Sequence, residues 1–342
     1  MRNRILIWLF SLVAVLTGCR SVHEVPSGDP RVKVNFTIDY EDALPLYTEK
    51  EYKTKAQGNY LVRHTVGIYR STGPGRWADT PDYTSIFYSE DISSQKFQII
   101  LEPVLYRVMV FTDYVDGSTM QSLCYQPAEF TSIRIPEDIP YTGSDPARDC
   151  FAGSRDLDLS RVLENDATVD ESLTMTRPVG KYSIVATDKD DFLKMFLVRL
   201  RERLIAEGNP TKAYETKAED ISLDLFKINV VYSGFLPDTY NLWRSRPIDA
   251  RSGVSFNSTL RELETGDLEL AFDFVLVNGE EGAVNVTLYI YDDRNEILGK
   301  VQTDIPLHTG MRTVLKGKFL TSGAASGISI NPGYDGEFNI AL

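Results

Sequence analysis

The chain has 342 residues, which at roughly 100–200 residues per domain suggests about two domains. Hydrophobic residues at 42% and charged residues at 25% argue against a disordered or collagen-like chain. A net charge of −13 argues against a nucleic-acid binder, which needs a basic footprint, and a count of 3 His leaves little for metal clusters or acid–base pairs.

Residues 1–19 read as an address label. Arg2 and Arg4 precede an apolar run over residues 5–16, about twelve residues and too short for a spanning helix, which needs about 20. The run ends in Leu16-Thr17-Gly18-Cys19, which is similar to a bacterial lipobox. That resemblance implies a cut before Cys19 and lipid on its thiol, with more than one acyl chain for stable anchoring. Residues 20–30 are Ser-, Pro- and Gly-containing with little apolar content and read as a tether.

Strand patterns then begin. Val32-Lys-Val-Asn-Phe-Thr-Ile38 alternates apolar and polar residues, the period of a strand with one buried face. Further strands are expected at 62–69, 97–101, 106–114 and 131–135, and 141–166 loses the pattern, as in a long loop or domain junction. The boundaries are a first body over 31–166 and a second over 167–342. In the second, strands are expected at 173–175, 181–186, 223–232, 268–277, 283–291, 296–305, 312–319 and 336–341. Strands spaced this closely mark a sandwich or barrel rather than βαβ units.

Residues 188–207 depart from the strand pattern. Phe192, Met195, Phe196, Leu200 and Leu204 recur at helical spacing, Asp188 is placed to cap, and Gly208-Asn-Pro210 stops the run. The reading is one amphipathic helix packed on a sheet.

Beyond Cys19, Cys124 and Cys150 remain. In an oxidising compartment they are either a disulfide or two buried thiols acting as small hydrophobes. No nucleophile elbow, zinc motif, phosphate loop or dinucleotide fingerprint occurs. Asp292, Asp293, Asn295 and Glu296 lack the twelve-residue calcium loop, and turn chemistry accounts for them. Arg177 and Lys181 read as structural residues of a domain-junction turn, with Lys181 at a strand edge. Trp77, Tyr83 and Trp243 lie in loop-like stretches and form a candidate sugar-stacking set. No catalytic residue, metal or cofactor is nominated, and the chain reads as a non-enzyme.

Several stretches together resemble the fimbrillin-like outer-membrane lipoproteins of Bacteroidales-type bacteria (the FimA/Mfa-type superfamily), in particular a two-domain group known only as a domain of unknown function. They are the Val32–Ile38 stretch with Leu44-Pro-Leu-Tyr47, Tyr106-Arg-Val-Met-Val-Phe-Thr-Asp-Tyr114, Tyr141-Thr-Gly-Ser-Asp-Pro-Ala-Arg-Asp-Cys-Phe151, Arg177-Pro-Val-Gly-Lys-Tyr182, Tyr232-Ser-Gly-Phe-Leu-Pro237, and the tail from Arg312 to Gly336. Cys150 departs from the pattern, where a small residue such as alanine is expected. The resemblance implies a mainly β fold of two tandem transthyretin-like β-sandwiches on the outer membrane, facing the cell surface. It implies a fimbrial (pilus) structural, anchor or tip subunit with an adhesive role, whose partners are other fimbrial subunits or second copies joined by β-strand exchange. In that family, cleavage after an arginine removes an N-terminal strand, which makes Arg31 a candidate processing site. The alternative is a surface glycan- or protein-binding lipoprotein of a nutrient-uptake system.

Overall fold

The computed structural model describes residues 28–41, 60–321 and 337–341, the last by backbone alone. The signal peptide, Cys19, most of the tether, residues 44–47 and the tail residues 330–336 lie outside the described residues.

Twenty strands and two helices are described. In chain order they are β1 (Val32–Tyr40), β2 (Tyr60–Gly73), β3 (Arg76–Trp77), β4 (Tyr83–Ser89), β5 (Gln95–Leu101), β6 (Leu105–Asp116), β7 (Ile133–Arg134), β8 (Phe151–Asp158), β9 (Thr168–Met175) and β10 (Val179–Ala186). Helices α1 (Lys189–Ala206) and α2 (Pro210–Glu215) follow. Then come β11 (Lys227–Tyr232), β12 (Leu236–Asn241), β13 (Arg246–Arg251), β14 (Ser255–Ser258), β15 (Arg261–Glu262), β16 (Leu268–Leu276), β17 (Glu281–Tyr291), β18 (Ile297–His308), β19 (Arg312–Gly317) and β20 (Glu337–Ala341).

The alternation in the sequence becomes a sandwich in the first half. A sheet in the order β5-β1-β9 faces a second sheet built on β3-β2-β6-β8, with β4 also paired to β2. Val32, Val34, Phe36 and Ile38 from one sheet meet Val66, Ile68, Tyr106, Val108 and Val110 from the other. The second half repeats the scheme with sheets β15-β16-β10-β19-β20 and β14-β11-β17-β18. Between them lie Tyr182, Ile184, Leu268, Leu270, Val230, Leu288 and Ile290, and α1 adds Phe192 and Phe196.

A third core joins the halves. Phe111, Tyr125, Phe130 and Ile133 of the first pack with Tyr240, Leu242, Phe272 and Phe274 of the second. A small sheet in the order β13-β12-β7 crosses the same seam. The mostly β architecture matches the sequence reading.

Four local expectations are corrected. The stretch expected as loop contains β8, paired antiparallel to β6, and its small and polar residues hid the strand. Asp188 makes no side-chain cap on α1. Its carboxylate instead accepts from the Leu320 N–H at 3.1 Å, the Thr321 N–H at 2.7 Å and the Thr321 hydroxyl at 2.7 Å, so it holds the chain that leaves β19. Met195 falls on the outer face of α1, beside exposed Val198, while Leu193 joins the buried stripe. Pro210 does not merely end α1: it opens α2, where its fixed φ suits the first turn.

Candidate functional site

The first strand is an inner strand. It pairs antiparallel with β5, Val32 facing Leu101 and Ile38 facing Gln95, and parallel with β9, Lys33 facing Thr168 and Tyr40 facing Met175. Its alternate side chains Val32, Val34, Phe36 and Ile38 are all buried. At about 1.5–3 kcal/mol for each large apolar side chain removed from water, these four supply most of its hold on the sandwich. Without β1, the unpaired backbone of β5 and β9 and an apolar trench between them would face water.

Polar marks punctuate the strand. On the solvent face, the Asn35 amide donates to Asp170 Oδ1 at 2.8 Å and accepts from the Gln98 amide at 2.7 Å, so one side chain ties both neighbours. Ser94 Oγ donates to Asp39 Oδ1 at 2.7 Å. On the inner face, the stripe ends in Tyr40, whose hydroxyl lies 2.9 Å from His64 Nδ1 and 3.2 Å from Thr112 Oγ1. His64 Nε2 lies 2.9 Å from Ser89 Oγ, which donates to the Asp91 carbonyl at 2.8 Å. Because that hydroxyl hydrogen is committed, the network assigns the His64 proton to Nε2 and leaves Nδ1 as acceptor. Burial holds His64 near a pKa of about 4, so the imidazole is neutral at pH 7.

The approach to β1 is docked as well. Asp29 N–H donates to Asp166 Oδ1 at 3.1 Å, Asp166 N–H donates back to the Asp29 carbonyl at 2.8 Å, and Lys33 N–H donates to the Ala167 carbonyl at 2.9 Å. Gly28 sits at φ +129°, where a Cβ would lie 2.3 Å from Asp166 Oδ2. Arg31 is exposed and pairs with Asp29 at 2.7 Å. Hydrogen bonds from Arg31 hold the Asp29 carboxyl at a pKa of about 2. The Arg31–Val32 bond precedes β1, so a cut there leaves the strand joined to β2. The first arginine after β1 is Arg63, inside β2. Arg31 thus stands on the N-terminal side of β1.

Cys124 and Cys150 are free thiols, both buried. Of the two states left open by the sequence, this is the second. Burial pushes the Cys124 thiol up to about 12 and raises that of Cys150 well above its usual value. Arg177 pairs with Asp149 at 2.9 Å. Lys181 lies on β10, the central strand of its sheet rather than an edge, with its ammonium 4.6 Å from the centre of the Phe272 ring. Trp77 and Trp243 converge on the Arg107 guanidinium, at 4.5 and 5.8 Å, and both pack on the seam core. Tyr83 packs on the first core instead, so the three aromatics do not form one surface. Asp292 Oδ1 accepts from the Arg294 and Glu296 N–H groups at 2.9 and 2.8 Å, and Arg203 pairs with Asp293 at 2.9 Å. The β17–β18 turn thus uses its carboxylates internally. Among the described residues, no group of three or more His, Cys, Asp or Glu is placed to hold a metal ion, and no helix is long and apolar enough to cross a membrane.

The paired sandwiches define a mainly β protein whose first described strand is an inner one. A model for a family of unknown function, DUF6562, matches residues 27–342, and the chain belongs to that family. Three solved structures to which it is similar come from Bacteroidales. One is a candidate adhesin from Bacteroides ovatus, 9% identical, covering 80% of each chain with a TM-score of 0.41. Another is the fimbrial anchor protein Mfa2 from Porphyromonas gingivalis, 10% identical, covering 78% of this chain and 81% of that one at 0.37. The third is a fimbrial assembly protein from Parabacteroides distasonis, 11% identical, covering 84% and 90% at 0.36. No curated protein matches the chain in sequence.

Proposed function

We propose that the protein is a non-catalytic surface subunit of fimbrial type, anchored to the outer membrane through lipid on Cys19. Its body divides into two sandwiches, of transthyretin-like kind, the first running from β1 through β9 rather than ending at residue 166. It meets other fimbrial subunits, or second copies, by exchange of the strand that fills the β5/β9 groove. The observation that carries the reading is the placement of β1: the first of the described strands and an inner one, held by two main-chain ladders and four buried side chains. The departure of an inner strand leaves two unpaired edges and so creates a β-augmentation site. Processing at Arg31, on this reading, would cut the tether and leave the groove filled.

The alternative of a glycan-binding surface lipoprotein has less support, because Trp77 and Trp243 are committed to packing around Arg107. The test is the state of the protein on the cell. Unboiled surface preparations blotted for the chain should give a ladder of detergent-resistant multimers that collapses on boiling. A single monomer band in both lanes would count against assembly by exchange.

A further inference from the structure

An apolar alternating strand has a register problem. Val32, Val34, Phe36 and Ile38 are similar enough that a slide of two residues keeps every apolar side chain facing inward. Nothing in the hydrophobic pattern forbids it. Two polar contacts do. A slide that places Ile38 at the position of Tyr40 removes the phenol from His64 Nδ1 and Thr112 Oγ1, both fully buried. It also carries Asn35 away from Gln98 and Asp170. The opposite slide places Asp42 against the same recess and buries a carboxylate there, which costs several kcal/mol or forces protonation. The recess itself is fixed: His64 and Thr112 are direct partners on β2 and β6, and His64 stacks on Phe87 with ring centres 4.8 Å apart.

We propose that Tyr40 is the specificity-determining position of the groove. The recess of His64, Thr112 and Ser89 fixes the register of the strand, and it selects a partner strand with a phenol at its ninth position and a side-chain amide at its fourth. The lock acts within the intact chain; the selection of a partner rests on the exchange reading above. This is the strand counterpart of a single polar residue setting register in an otherwise apolar coiled coil.

Cross-linking in the full chain tests the lock. Lys33 faces Ile100 in the native register, and a two-residue slide that brings Ile38 to the recess sets it opposite Gln98. Lys33→Cys with Ile100→Cys should therefore bridge on oxidation, and Lys33→Cys with Gln98→Cys should not. Adding Tyr40→Leu should raise the ratio of slipped to native bridge by about fivefold, the factor carried by one buried hydrogen bond of ordinary strength. Adding Asn35→Thr should raise it further. A fall of both bridges in the same proportion would mean that Tyr40 merely packs, and would overturn the lock. A second arm offers the Tyr40→Leu chain a nine-residue peptide of the Val32–Tyr40 sequence, or the same peptide ending in Phe. Preferred uptake of the Tyr peptide supports selection, and equal uptake overturns it. Uptake of neither, with the cross-link ratio still moved, overturns the exchange reading and the selection while leaving the lock in place.

Discussion

Arg148 and Asp273 meet across the seam between the two halves, Nε to Oδ1 at 2.8 Å, with both side chains sealed from water. Tyr141 and Tyr232 also donate to Asp273, at 2.7 and 2.6 Å, and the Arg148 guanidinium lies 3.9 Å from the centre of the Tyr141 ring. Removing one partner strands a buried charge. Asp273→Ala should cost about 3–5 kcal/mol, and pairing it with Arg148→Met should cost less than the sum of the single changes. Because Phe111 and Tyr125 share one core with Phe272 and Phe274, the wild-type melt should be a single transition by calorimetry. Two separated transitions, or additive losses, would contradict the shared seam.

His64 links pH to the first sandwich. Its folded pKa, lowered by burial to about 4, lies below the 6.5 usual for histidine. Between those values the unfolded chain binds the extra proton, so this group contributes stability above pH 6.5 that is lost as pH falls toward 4. The loss is up to about 3 kcal/mol at 1.36 kcal/mol per pKa unit. The groups facing the ring are Tyr40, Thr112, Ser89 and Phe87. Denaturant melts from pH 7 to 4 should fall more steeply for wild type than for His64→Gln, and the imidazole NMR signals should stay in the neutral form down to about pH 4.

Cys124 and Cys150 should be inert. Both thiols are buried, with Cys124 raised to about 12, so the thiolate that reacts is scarce at neutral pH. Neither should label with a thiol reagent in the native protein, and both should label in denaturant without prior reduction. An intact mass two units low after non-reducing denaturation would instead mean a bridge.

Arg31 should be a poor substrate while the protein is folded. A protease needs several residues extended around the bond, and here Asp29, Asp166, Lys33 and Ala167 are tied together while Val32 is buried. Brief trypsin treatment should leave the Arg31–Val32 bond largely intact. Asp166→Ala should speed its cleavage, and the product should still contain β1. Rapid cutting of the wild-type chain would contradict the docked geometry.

The sequence is most legible where one face of an element is wet. The alternation of Val32 through Ile38 predicts the inward residues of β1, and the run from Leu268 predicts β16 to within a residue at its C-terminal end. It is least legible where the partner is distant. Nothing local to β1 reveals that β9, some 135 residues on, pairs with it, because a parallel neighbour leaves no turn signal. Asp188 looks like a helix cap by its position and type, yet the three donors it satisfies arrive from residues 320 and 321. The recess under Tyr40 is invisible for the same reason: a tyrosine, a histidine, a threonine and a serine become one network only when three strands and the end of a fourth converge. Aromatics in loop-like sequence misled in the opposite direction, since Trp77 and Trp243 suggest sugar binding until both are found half-buried and packed around Arg107.

The central claim is that β1 plugs a groove which, once emptied, recruits another strand. The direct measurement is size-exclusion chromatography with light scattering on two forms of the protein, one beginning at Asp29 and one at Glu41. The longer form should elute as a monomer. The shorter form should self-associate in proportion to its concentration, and a nine-residue peptide of the Val32–Tyr40 sequence should return it to monomer. Two monomers of equal stability, indifferent to the peptide, would contradict the account.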